Sequence, residues 1–181
     1  MESCARWSVI AVAALLGLTS TCLVLAQSPR SVDDRATLDL SAGAFGIFDH
    51  ASEPFRFGVE YRWRPFGRWA LAPGLGVTFA EGGANFAYGD LHKDFWLGPQ
   101  WLLTASFGAG LFHDGGGMHL GNELEFQSGL EVSRMFRGRC RIGVAVYHLS
   151  NGGLGHKNPG TEVGVLLVGI PIGARPTGDG A

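Results

Sequence analysis

Residues 55–63 read Phe55-Arg56-Phe57-Gly58-Val59-Glu60-Tyr61-Arg62-Trp63. Phe55, Phe57, Val59, Tyr61 and Trp63 fall on one side of an extended chain, and Arg56, Glu60 and Arg62 on the other. Successive side chains of a strand point to opposite faces, so this stretch is a strand with one apolar and one charged face. The same period recurs along the chain. Leu124, Phe126, Leu130 and Val132 oppose Glu123, Glu125, Gln127, Glu131 and Ser133, and Trp101, Leu103, Ala105, Phe107, Ala109 and Leu111 oppose Thr104, Ser106, Gly108 and Gly110. Near the start, Leu38, Leu40, Ala42 and Ala44 oppose Asp39, Ser41 and Gly43.

These segments predict eight strands, over 36–48, 55–65, 69–81, 84–96, 99–113, 121–135, 138–151 and 161–172. The fourth has the weakest pattern, because Asp90, His92, Lys93 and Asp94 interrupt it. Such strands are long enough to cross a bilayer when tilted. A soluble barrel keeps its apolar faces inside, and a membrane barrel turns them out. Here the polar faces mix Gly and Ser with charges of both signs (Arg56, Glu60, Arg62, Glu123, Glu125, Glu131, Arg141), which suits a narrow interior of paired ions. The apolar faces are bulky, aromatic and free of charge, as a lipid-facing band requires. The predicted fold is therefore all-β, an eight-stranded antiparallel transmembrane barrel of the outer-membrane type, occupying 27–181.

Composition agrees. The 181 residues include 29 Gly and 11 % aromatics, with only 17 % charged residues and a formal net charge of −2. Nothing there offers a basic surface for nucleic acid. Residues 1–26 read as a signal peptide: Arg6 supplies the positive start, Trp7 to Leu25 is apolar, and Val24-Leu25-Ala26 suits cleavage after Ala26. A retained membrane anchor is the competing reading of that stretch. Thr21 before Cys22 does not make a lipoprotein box, and after cleavage Cys140 stands alone, so neither a disulfide nor a cysteine metal site is expected.

Connections set the orientation. Pro65-Phe66-Gly67-Arg68, Gly98-Pro99 and Arg137-Gly138 are tight turns, whereas 49–54, 113–121 and 151–160 are long and polar. Outer-membrane barrels keep short turns in the periplasm and long loops outside. Residues 148–162 then lie at the extracellular rim, beside the outer leaflet. His148 and Ser150 share a face with Cys140, Ile142, Val144 and Val146, and Glu162 shares one with Leu166, Val168, Ile170 and Ile172. Three polar side chains thus extend apolar, outward faces on two neighbouring strands. A seryl hydroxyl needs a base to become a nucleophile, and the base needs an orienting carboxylate. Polar residues also cluster at the wet ends of any barrel strand. The α/β-hydrolase elbow Gly-x-Ser-x-Gly is excluded, since His148 stands at its first Gly.

His148-Leu149-Ser150-Asn151, the glycine-rich 152–155, Asn158-Pro159-Gly160, and Glu162 twelve residues after the serine together resemble the lipid A 3-O-deacylases (PagL family). The resemblance is sharpest over 147–172; upstream it is architectural. It implies a metal-free, cofactor-free serine esterase that hydrolyses the 3-position ester of lipid A in the outer leaflet and releases a 3-hydroxy fatty acid. Ser150 would be the nucleophile, His148 the general base and Glu162 the group orienting the imidazole. The Asn158 side chain and the Gly153 N–H would donate to the oxyanion, and Asn151 would shape the site. Lipopolysaccharide is then the substrate and outer-membrane lipid the surroundings, with a homodimer left open. Membrane barrels commonly end on a C-terminal aromatic, whereas this chain runs on past Ile172 as Gly-Ala-Arg-Pro-Thr-Gly-Asp-Gly-Ala.

Two other functions fit parts of the pattern: a non-catalytic structural or adhesive barrel, and a soluble periplasmic lipid-binding barrel. His156 and Lys157 read as solvated loop residues within reach of lipid A phosphates. His113 and His119 flank a glycine-rich loop without enough ligands for a metal, and His50 and His92 read as loop or rim residues.

Overall fold

The computed structural model describes residues 35–48, 54–115 and 119–173. The proposed signal peptide and His50 lie outside them. Eight strands follow in chain order: β1 (Ala36–Phe45), β2 (Phe55–Arg62), β3 (Leu71–Ala80), β4 (Asn85–Trp96), β5 (Trp101–His113), β6 (Leu124–Met135), β7 (Arg141–Ser150) and β8 (Thr161–Ile172). Each pairs antiparallel with its sequence neighbour, and β8 returns to β1, with Leu40 opposite Val168. Closure removes both sheet edges, so the strands' backbone groups find partners within the sheet, as a span through hydrocarbon requires.

Period 2 then sorts the side chains. Phe57, Val59, Leu75, Phe79, Leu91, Phe107, Leu111, Leu130, Val144, Val146 and Leu166 are large, apolar and exposed on the outer wall. A continuous apolar band of this kind would aggregate in water and is stable only against lipid. Phe107→Arg is therefore expected to destabilise the barrel folded in vesicles by about 2–4 kcal/mol, read from urea titration. A soluble barrel would tolerate the same change on its surface.

Inside, the lower half of the barrel holds a lattice of ions. The Arg62 guanidinium donates to Glu131 and lies 3.2 Å from Asp39 and 3.4 Å from Glu60. Arg141 donates to Glu131 at 2.8 Å and also to Asp39. Taking charges from water is costly, and this arrangement is tolerable because each carboxylate meets a guanidinium directly. On β4, the His92 Nε2 lies 3.0 Å from Glu60 and 2.9 Å from Asp90, and Tyr88 donates its hydroxyl to Glu60. Gly74 on the facing β3 leaves the room these groups need, since a Cβ there would run into Asp90, His92 and Glu60.

The upper half is different. Phe45, Phe86, Phe112, Leu120, Leu149, Val163, Val165 and Leu167 pack into one apolar cluster, with the buried Arg56, Glu125 and Gln127 at the same end and the Arg56 guanidinium 5.5 Å over the Phe45 ring. The interior is thus a core and not a pore.

Two expectations are corrected here. His92 is not a rim residue, because its ring is buried on the inward face of β4. Phe86, Tyr88, Asp90 and His92 all point inward, so β4 keeps strict alternation, and its inner face changes from aromatic to ionic on the way down. Glu123 is not an interior charge. It precedes β6 and is exposed above the barrel wall.

The connections 63–70, 97–100 and 136–140 lie at the end that holds Arg35 and Gly173, the ends of the described barrel. The opposite end carries 46–48, 54, 114–115, 119–123 and 151–160, together with a 3₁₀ turn, Glu81–Gly83.

Candidate active site

At the loop end, β7 and β8 pair so that His148 stands directly opposite Glu162. The His148 Nδ1 lies 3.2 Å from Glu162 Oε1, within hydrogen-bonding distance. A carboxylate oxygen facing Nδ1 orients the ring and leaves Nε2 turned away from Glu162. Both side chains are partly open on the outer wall, His148 being 51 % and Glu162 30 % exposed. The outward placement expected of this pair is what the structure has.

Ser150 lies two residues up the same strand, opposite Phe126 of β6. Residues i and i+2 of a strand share a face about 6–7 Å apart, so the hydroxyl and the imidazole project in parallel from one wall. Between them Leu149 points inward and is fully buried in the apolar cluster. That anchor fixes the height and facing of both neighbours.

The loop 151–160 folds over this edge, and Asn151 organises it. The Asn151 side chain is wholly buried, and its Nδ2 donates to Leu120 O at 3.0 Å and Lys157 O at 2.8 Å. Its Oδ1 accepts the Gly153 N–H, and its own backbone N–H donates to Asn158 Oδ1, each at 3.0 Å. One amide therefore ties the loop to itself and to the neighbouring loop at Leu120. Because the Asn158 oxygen is engaged, its NH₂ is turned the other way. The Gly153 N–H is committed to Asn151 in this conformation, so it can meet an oxyanion only by sharing or leaving that bond.

Gly160 closes the loop beside the imidazole. Its φ is +65°, and a Cβ there would stand 3.2 Å from His148 Cε1. Glycine answers both constraints: the left-handed backbone and the room for the ring.

The rest of the expected site residues scatter. His156 and Lys157 are exposed on the loop. His119 pairs with Asp114 at 2.8 Å in the open. The described residues that bring three potential metal ligands together are Glu60, Asp90 and His92, deep in the barrel. Those groups are engaged in the ion lattice, with Arg62 against Glu60. Sequence reading missed the cluster because it took the inward face of β4 for a broken pattern.

Asn151→Ala is expected to leave Gly153 N–H and two carbonyls without their partner, costing about 1–3 kcal/mol. Loss of alignment should lower kcat by roughly 10²-fold. Asn151→Asp restores the acceptor but not the donors, so it should rescue neither, by urea titration and steady-state kinetics.

Fold and edge together define a transmembrane-type β-barrel with an outward-facing histidine–carboxylate pair and a serine beside it. The family model described as lipid A 3-O-deacylase (PagL) matches residues 55–171, which is more than half of the chain. The chain belongs to that family, whose members are lipid A hydrolases. Among solved structures, the crystal structure of the outer membrane enzyme PagL is similar at 23 % identity and a TM-score of 0.57, covering 75 % of this chain and 99 % of that one. A chain from the de novo design of transmembrane β-barrels is similar at 10 % identity and a TM-score of 0.52, covering 78 % and 98 %. At these identities the likeness speaks for the barrel alone. No curated protein sequence matches the chain.

Proposed function

We propose that this chain is an outer-membrane serine esterase that hydrolyses the 3-position acyl ester of lipid A at the outer leaflet. The observation that carries this reading is the outward pairing of His148 with Glu162 on the same wall as Ser150. A catalytic group on the outer wall meets its substrate without drawing the lipid out of the bilayer.

The mechanism follows from the groups. With Glu162 holding Nδ1–H, the His148 Nε2 takes the Ser150 proton as the hydroxyl oxygen attacks the ester carbonyl. The imidazolium that forms is stabilised by the carboxylate beside it. Negative charge on the carbonyl oxygen is met by the Asn158 NH₂, held in place by its bond to the Asn151 backbone; the Gly153 N–H joins only if it shares its present bond. Collapse of the intermediate breaks the ester C–O bond; the departing sugar alkoxide takes the proton from His148 and leaves as the free hydroxyl, with the acyl group on Ser150. Water, activated by the same imidazole, releases the 3-hydroxy fatty acid.

The test is purified barrel in detergent with lipid A, the released acids being identified by mass spectrometry. The expected products are one free 3-hydroxy acyl chain per molecule and an intact amide-linked set. Release from another position, or no release, contradicts the proposal.

A further inference from the structure

The charges outside the barrel are divided by end. At the short-turn end Arg64, Arg68, Arg134 and Arg137 are exposed, with Lys93 and Arg139 beside them. Asp94 is the one described carboxylate there; it lines the mouth of the barrel and accepts the Thr104 hydroxyl. At the loop end Glu81, Asp114, Glu123 and Glu162 face a single described lysine, Lys157. Aromatic residues follow the same division. Trp63, Trp69, Trp96 and Trp101, all the tryptophans among the described residues, are exposed at the short-turn end. Several cations lie over aromatic faces: Arg68 over Trp69 at 5.0 Å, Arg134 over Phe136 at 5.4 Å and Arg139 over Trp96 at 5.6 Å.

We propose that this rim binds the headgroups of anionic glycerophospholipids, in the leaflet opposite the one that His148 and Ser150 meet. Indole rings with a polar N–H settle at the headgroup level, and guanidinium groups there face lipid phosphates. The spacing favours lipid over a protein partner. Arg64 and Arg68 belong to the β2–β3 turn, and Arg134 and Arg137 to the β6–β7 side, which is four strands away around a closed ring of eight. Cations on opposite sides of a rim suit an annulus of lipid, whereas a docked protein would take one contiguous patch.

The proposal rests on the membrane-spanning reading above and not on the catalytic one. Because every described tryptophan is at this rim, its fluorescence reports that end alone. The full chain carrying Trp7→Phe is refolded into phosphatidylcholine vesicles doped with a brominated lipid, either phosphatidylcholine or phosphatidylglycerol, at equal mole fraction. Apparent affinity for the brominated phosphatidylglycerol should exceed that for phosphatidylcholine by roughly fivefold or more at low salt. The preference should collapse in high salt and in the Arg64→Gln, Arg68→Gln, Arg134→Gln, Arg137→Gln variant, whose folding is checked by heat-modifiable gel migration. If that variant does not fold, the salt response of the unsubstituted rim decides. Equal quenching by both lipids at low salt overturns the proposal and leaves the barrel standing. Quenching by neither means that the rim is not in a bilayer, and the spanning reading fails with it.

Discussion

Ser150→Ala is expected to lower kcat for lipid A deacylation by about 10⁴-fold or more, with KM changed only a few-fold. The hydroxyl contributes nothing to lipid binding that the apolar wall does not already supply, so the loss should fall on the chemical step. His148→Ala should cost a similar factor, and the double variant should be no worse than either alone. Groups that act as one unit are non-additive in this way, because removing either stops the same proton transfer. Ser150 is partly exposed on the outer wall, so urea titration should find the barrel's stability unchanged. An equal loss of stability and activity would point to a structural serine instead.

Glu162→Gln carries the second large effect. The change keeps the side chain's shape and removes its charge, so the imidazolium loses its counter-ion and the preferred tautomer is no longer enforced. A fully buried carboxylate in this role is worth up to about 10⁴-fold in kcat. Here the pair is only 3.2 Å apart, and Glu162 is 30 % exposed. Water and salt can partly replace it, and roughly 10²-fold is the expected loss. A half-exposed ion pair contributes little to folding, so resistance to urea should hold. Steady-state rates on purified enzyme measure the first effect, and the folded fraction on gels measures the second.

Barrel, strand count and the outward placement of His148 and Glu162 were legible because period 2 sorts side chains onto two faces, and the size and charge of those faces say which one meets lipid. From Phe55 to Trp63 the alternation alone assigns each side chain, and the buried Arg56, Glu60 and Arg62 follow it. Which strands close the barrel is not legible in the sequence, since no residue in β8 or β1 names its partner. Less legible was the change of interior character along the axis. Asp90 and His92 look like a break in β4 because Lys93 and Asp94 follow them without alternation, yet they continue its inward face into the ionic half. Their meaning depends on Glu60 and Gly74, which lie on other strands and are brought alongside only by the fold.

The site divides in the same way. His148 and Ser150 are local, two residues apart on one strand, and a hairpin suffices to bring Glu162 across. The buried amide of Asn151 is not local: its contact with Leu120 joins two loops whose proximity no spacing in the sequence encodes. For the same reason sequence reading could not show that the Gly153 N–H is already held. That bond depends on how the loop closes, which is decided by hydrogen bonds and not by periodicity.

The most direct test of the account is the mass spectrum of lipid A from cells expressing either the wild-type chain or Ser150→Ala, at matched levels in the outer membrane. Wild type should yield lipid A lighter by one 3-hydroxyacyl group, and the variant should yield lipid A identical to that of cells lacking the protein. The same lipid A from both, whether intact or trimmed, would contradict the assignment of Ser150 as the nucleophile of a lipid A esterase.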